Sequence, residues 1–136
     1  MKSQRTDEII LIKIKKYSSH LKNVYEKIRF LTEDELEDSL YAYSAAQLIT
    51  NLKESYDMFT SEEMQERYKL LRQPSIVRIR NIASHDYEAL NWSIVKTGCK
   101  RITEAYDNNY HAASLEILNA EPSNDIEAEL ERDFGE

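Results

Sequence analysis

Apolar residues recur at three- and four-residue steps through most of this chain, the period of helices with one buried face rather than the strict alternation of strands. The first such stretch runs from about Thr6 to about Phe30, with Ile9, Ile10, Ile12, Ile14, Tyr17, Leu21, Val24, Tyr25 and Ile28 as its stripe. Thr32-Glu33-Asp34-Glu35 then reads as a capping box, in which the Thr32 hydroxyl accepts from the amide of Glu35 and the Glu35 carboxylate reaches back. The helix it opens is expected to be long, running toward Met58 with Leu36, Leu40, Tyr43, Ala46, Leu48, Ile49 and Leu52 inward. Ser44, Ala45 and Ala46 are small enough to let a neighbouring helix approach closely. Thr60-Ser61-Glu62-Glu63 offers a second capping box, opening a short connecting helix through Leu71. Pro74 suits a first helical position, so Gln73-Pro74-Ser75 begins a further helix over roughly residues 75–86. Asn91 is the N-cap of the last, where Trp92, Ile94, Val95, Cys99, Ile102, Ala105 and Tyr106 keep the period until Asp107-Asn108-Asn109 ends it.

Composition agrees with this reading. Two glycines and two prolines are too few for the many tight reversals of a sandwich or barrel. The expectation is an all-α fold, an antiparallel four- to five-helix bundle forming one domain over residues 1–120, with an acidic tail over residues 121–136. No apolar run approaches the roughly 20 residues of a membrane span. The first residues mix acids and bases through their short apolar stretch, unlike a secretory leader. A cytoplasmic protein without a membrane partner is expected. Cys99, the single cysteine, has no disulfide or metal-spaced companion and is expected to be buried or half-buried.

Charge first argues against nucleic acid and then for it. The net charge is −7, unfavourable for meeting phosphates. Residues 121–136 hold seven acids against Arg132, however, so the tail supplies −6 and the rest of the chain −1. Within that nearly neutral body Arg67, Lys69, Arg72, Arg78 and Arg80 follow one another with no acid between Glu66 and Asp86. Arg72 and Arg78 are therefore candidates for guiding RNA.

Chemistry concentrates in Arg80-Asn81-Ile82-Ala83-Ser84-His85-Asp86-Tyr87. At about 100° per residue a continuous helix would put Arg80, Ser84 and Tyr87 on one face, with Asn81 and His85 turned away from it. Either the helix breaks near His85, or the two residues meet counterparts from a second subunit across a two-fold axis. With no carboxylate cluster or metal-ligand set nearby, neither metal nor cofactor is expected. Metal-free RNA cleavage by an attacking 2′-hydroxyl needs a proton carrier and a charge stabiliser. His85 titrates near neutrality and suits the first role, while the planar guanidinium of Arg80 suits the second. His20 and His111 have no such context and are expected at the surface, and Trp92 is expected in the core.

Arg80-x4-His85-x-Tyr87, with Asn81 directly after the arginine, resembles the motif of HEPN-domain ribonucleases, most closely the HepT group of toxins paired with a minimal nucleotidyltransferase antitoxin. Leu31-Thr32-Glu33-Asp34-Glu35-Leu36, the acid-poor stretch before Arg80, and Trp92-Ser93-Ile94-Val95 also fall where that group places similar segments, so the resemblance spans residues 8 to about 106. It implies a HEPN-like bundle, a homodimer whose two motifs face one cleft, and endoribonuclease activity. Arg80 and His85 would be catalytic, with Asn81 and Ser84 in support. Tyr87 would accept AMP from the antitoxin. Ser84 departs from the aliphatic residue that relatives often carry there. A rival function on the same fold is a non-catalytic subunit that binds nucleotide or substrate for a nucleotidyltransferase.

Overall fold

The computed structural model describes residues 2–86 and 89–110, with side chains from Thr6 onward. Among the described residues the fold is all-helical: α1 (Lys2–Ile28), α2 (Glu33–Glu37), α3 (Leu40–Tyr56), α4 (Glu62–Arg67), a 3₁₀ turn (Lys69–Arg72), α5 (Pro74–Ala83) and α6 (Trp92–Asp107). None of these helices is long and apolar enough to cross a membrane. Tyr87, His111 and the acidic tail over residues 121–136 lie outside the described residues.

α3 is the central element, packed against α1, α5 and α6. It buries Ala42, Ala45, Ala46, Ile49 and Leu52 completely, and these short side chains allow three helices to gather around one. α1 supplies Ile10, Ile14, Leu21 and Ile28 to the same core, and α6 supplies Ile94, Val95, Cys99, Ile102 and Ala105. Tyr43 meets Trp92 edge-on at 4.9 Å, which places Trp92 in the core as its sequence context suggests.

The helix ends follow capping chemistry. Thr32 and Glu35 form the reciprocal box, with Thr32 N donating to Glu35 Oε1 at 2.9 Å and Glu35 N donating to Thr32 Oγ1 at 3.3 Å. Asn91 caps α6 by accepting from Ile94 N. Pro74 opens α5, and Gln73 at its N-cap accepts from Arg101 Nη1 of α6 at 3.1 Å. At the far end of α6, Asn109 adopts a left-handed backbone with φ 56°. Tyr110 N then reaches Ala105 O at 2.7 Å and Asn109 N reaches Tyr106 O at 2.9 Å, the paired bonds of a Schellman closure. Tyr110 turns inward there, and its hydroxyl shares a 2.7 Å hydrogen bond with Ser18 of α1.

Four expectations need correction. The helix opened by Thr32 is not continuous: Ser39 is a second N-cap, accepting from the amides of Tyr41 and Ala42, so α2 stops and α3 starts on a new axis. Leu40 is thereby left 81% exposed rather than buried. Ile9 and Ile12 share the apolar run of α1 but face outward, 49% and 67% exposed. Thr60 is not the cap of α4. Ser61 holds that position, and Thr60 is held from across the fold by Asp7. The buried carboxylate of Asp7 accepts from Thr60 N at 2.9 Å, Thr60 Oγ1 at 3.0 Å and Ser61 N at 2.9 Å, so one acid on the inner face of α1 fixes where α4 begins.

Asp7→Ala should lower stability by about 2 kcal/mol, less than three lost bonds would suggest because water can reach the exposed Thr60. Urea unfolding of the two proteins reads this, and an unchanged midpoint would show that Asp7 does not anchor α4. The Cys99 thiol is fully buried, and burial pushes its pKa well up. It should resist thiol reagents in native buffer and react only as fast as the protein unfolds.

Candidate functional site

α5 buries Ser75, Ile76, Ile79 and Ala83 against α3 and α6, and so turns Arg78 and Asn81 away from the core, half-buried and exposed respectively. Arg80 sits in its last turn, next to the buried Ile79 and with a third of its side chain open to solvent. The helix then stops. Ser84 is the C-cap: its amide donates to Arg80 O at 3.1 Å, and its hydroxyl donates to the same oxygen at 2.8 Å. His85 N and Asp86 N both turn back to Ile82 O, at 3.0 and 2.8 Å. His85 lies beyond the helix and is exposed, as are Asn81 and Ser84.

The helix breaks before His85, the first of the two geometries open to the motif. A helix reaching residue 86, as the periodicity suggests, does not form. Arg80 and His85 come to the same open end of α5 without sharing a helical face. Ser84 contributes by closing the backbone there, with its hydroxyl committed to the carbonyl of Arg80.

Arg80 has a neighbour that the motif does not contain. Asp57, the C-cap of α3, places Oδ2 3.8 Å from Arg80 Nη2. Its other oxygen pairs with Nζ of Lys53, whose side chain is 9% exposed. The Nε atom of Arg80 is itself buried, with no hydrogen-bond partner among the described residues. Neither Lys53 nor Asp57 stands out in a search for motifs. A trace was present all the same: Lys53 falls at a core position of the stripe formed by Ile49, Leu52 and Tyr56, where a charge must be paired to be tolerated.

The basic run is less free than its order in the chain suggests. Glu66 folds over it, accepting from Lys69 Nζ at 3.1 Å and lying 3.6 Å from Arg72 Nη2. Arg67 donates to the backbone oxygen of Asn109 at 3.0 Å. α5 has ten residues and so spans about 15 Å. Arg72, before its first residue, thus stands at the opposite end from Arg80. Arg80, Asn81, Ser84 and His85 thus lie within the last turn of α5 and just beyond it, with Ser84 bonded to the Arg80 carbonyl, and Arg72 stands apart from them.

Grooves mark the surface of the described residues, three of them as follows. One of about 400 Å³ is walled by Glu33, Asp34, Glu37 and Trp92; a second of the same size lies over Asp7, Leu11 and Met64. A third of about 490 Å³ lies between Lys15, Arg67, Tyr68 and Tyr106. None of the three is lined by Arg80 or His85. Among the described residues no group of three or more His, Cys, Asp or Glu is placed to hold a metal ion, and His20 is exposed as expected. Comparison with known protein families, curated proteins and solved structures finds no match to this chain.

Exposed side chains add little to folding free energy. His85→Ala should therefore change stability by no more than about 0.5 kcal/mol, and Arg80→Ala by no more than about 1 kcal/mol through its partly solvated ion pair. Denaturant titration tests both, and a collapse of either variant would make the end of α5 a structural element first.

Proposed function

We propose that this chain is a metal-independent endoribonuclease of the HEPN type, a HepT-like toxin acting as a homodimer in the cytoplasm. The observation that carries this reading is the stop of α5 at Ala83, with His85 exposed just beyond it and Arg80, a third of its side chain open to solvent, in its last turn. One such end is open rather than concave. Two copies related by a two-fold axis would face each other across a cleft and enclose a strand of RNA between them.

In that cleft His85 exchanges protons with the reacting oxygens while Arg80 holds the phosphodiester. The 2′-hydroxyl loses its proton and attacks the adjacent phosphorus, and the 5′-oxygen leaves with a proton. The products are a 2′,3′-cyclic phosphate and a 5′-hydroxyl, with no water consumed. Arg80 offers two parallel donors to the phosphate oxygens as negative charge develops there, a geometry that lysine does not reproduce. Asn81 would hydrogen-bond the RNA, and Arg78 would draw the backbone along α5. A minimal nucleotidyltransferase would silence the toxin by joining the phenol oxygen of Tyr87 to the α-phosphorus of ATP and releasing pyrophosphate. The added AMP, bulky and anionic, would lie two residues from His85.

Purified protein should cleave RNA in excess chelator and leave 2′,3′-cyclic phosphate ends. His85→Ala should lose about 10²- to 10⁴-fold in rate, and Arg80→Lys should fail to restore what Arg80→Ala removes. Activity that disappears in chelator, or survives His85→Ala, would overturn the reading.

A further inference from the structure

We propose that Lys53, Asp57 and Arg80 work as one unit, in which Asp57 positions the Arg80 guanidinium and Lys53 keeps that carboxylate from cancelling its charge. The proposal rests on the ribonuclease reading of the α5 end and adds two positioning residues to it.

Lys53 is the starting point. An ammonium on the core stripe of a central helix is unfavourable unless compensated. Here Nζ pairs with Asp57 Oδ1 one turn further along α3 and lies 5.3 Å from the centre of the Tyr56 ring. The carboxylate so engaged still presents Oδ2 toward Arg80 Nη2 at 3.8 Å. Two cations flank one anion, so the cluster retains a single positive charge.

That arrangement resolves a conflict within any arginine meant to hold a phosphate. Its side chain is long and mobile, so it needs an anchor, yet an anionic anchor competes with the phosphate for the same charge. Asp57 is an anchor at ion-pair distance, too far to take up the donors of Arg80 in short hydrogen bonds. Nε is buried, so the exposed third of the side chain is borne by its other atoms. Lys53 returns the missing positive charge from beneath the surface, where solvent screens it least and where it does not itself reach substrate.

The two flanking residues should then fail in opposite ways. Lys53→Met leaves Asp57 uncompensated beside Arg80. It should weaken binding of a 2′-deoxy, non-cleavable RNA analogue about five- to tenfold and reduce the salt dependence by about one ion. Asp57→Asn frees Arg80, so affinity should hold or rise while single-turnover cleavage falls about 10- to 100-fold through lost positioning. The double variant should regain affinity but not rate. A purely structural role predicts losses of affinity and rate together, following stability. Should Lys53→Met unfold, the Arg80 Nε–H resonance decides the matter in folded protein: sharp and slowly exchanging in the wild type, broadened in Asp57→Asn. An unchanged resonance, or an Asp57→Asn protein with wild-type rate and affinity, overturns the inference while the ribonuclease reading stands. A wild-type protein that neither binds nor cleaves RNA removes that reading, and the role of this cluster in RNA cleavage with it.

Discussion

The methyl ends of Ile49, Ile76 and Ile79 converge on Gly98, and the placement of α5 depends on that contact. A Cβ added at Gly98 would stand 3.3 Å from Ile79 Cδ1 and 3.5 Å from both Ile49 and Ile76 Cδ1, so a side chain there would press on the end of Ile79 where α3, α5 and α6 meet. With Ile76 and Ile79 held there, Arg80 is brought beside the end of α3 and within ion-pair distance of Asp57. The open end of α5 is thus fixed by packing two turns away from it. Its polar groups need contribute little to holding it, which is the usual division between a rigid scaffold and the residues it presents.

Capping and period, both local, were legible in the sequence. Thr32 with Glu35, Pro74 and Asn91 each begin a helix where their chemistry says they should, and the closing turn of α6 falls on Asn108 and Asn109. Less legible was anything settled by a distant partner. Ile9 and Ile12 look like core residues until the orientation of α1 is known, and Asp7 looks like a surface acid until Thr60 and Ser61 are seen to need it. The break at Ser39 was readable in principle, since Asp38-Ser39 offers a new cap in the middle of an apolar run. The longer period outweighed it there, yet a cap that binds two amides ended the first axis.

The candidate site divides along the same line. Arg80 and His85 stand out in the sequence by their spacing; in the fold His85 is exposed beyond α5 and Arg80 is half-buried in its last turn. Lys53 and Asp57 belong to a different helix and carry no motif, so only tertiary structure joins them to Arg80. Charge counted along the chain misleads for a related reason. The run from Arg67 to Arg80 looks like an uninterrupted positive stretch, but Glu66 turns back upon Lys69 and Arg72 and takes up part of it. Arg80, at the other end of that run, is likewise met by a carboxylate, that of Asp57.

Ser84 shows how local chemistry shapes that end. The carbonyl oxygen of Arg80 takes the Ser84 amide in an ordinary i-to-i−4 bond and has a lone pair left for one further donor. An aliphatic residue at position 84 could offer it only a backbone amide, whereas serine offers the amide and the hydroxyl together, at 3.1 and 2.8 Å. The same hydroxyl-to-carbonyl bond joins Thr50 to Ala46 inside α3 and Thr97 to Ser93 inside α6, so at Ser84 it fills a spare lone pair and does not by itself end α5. The turn that carries His85 into solvent is tightened by its own amide, which reaches Ile82 O three residues back, while the Ser84 hydroxyl is spent on the carbonyl of Arg80 one turn earlier.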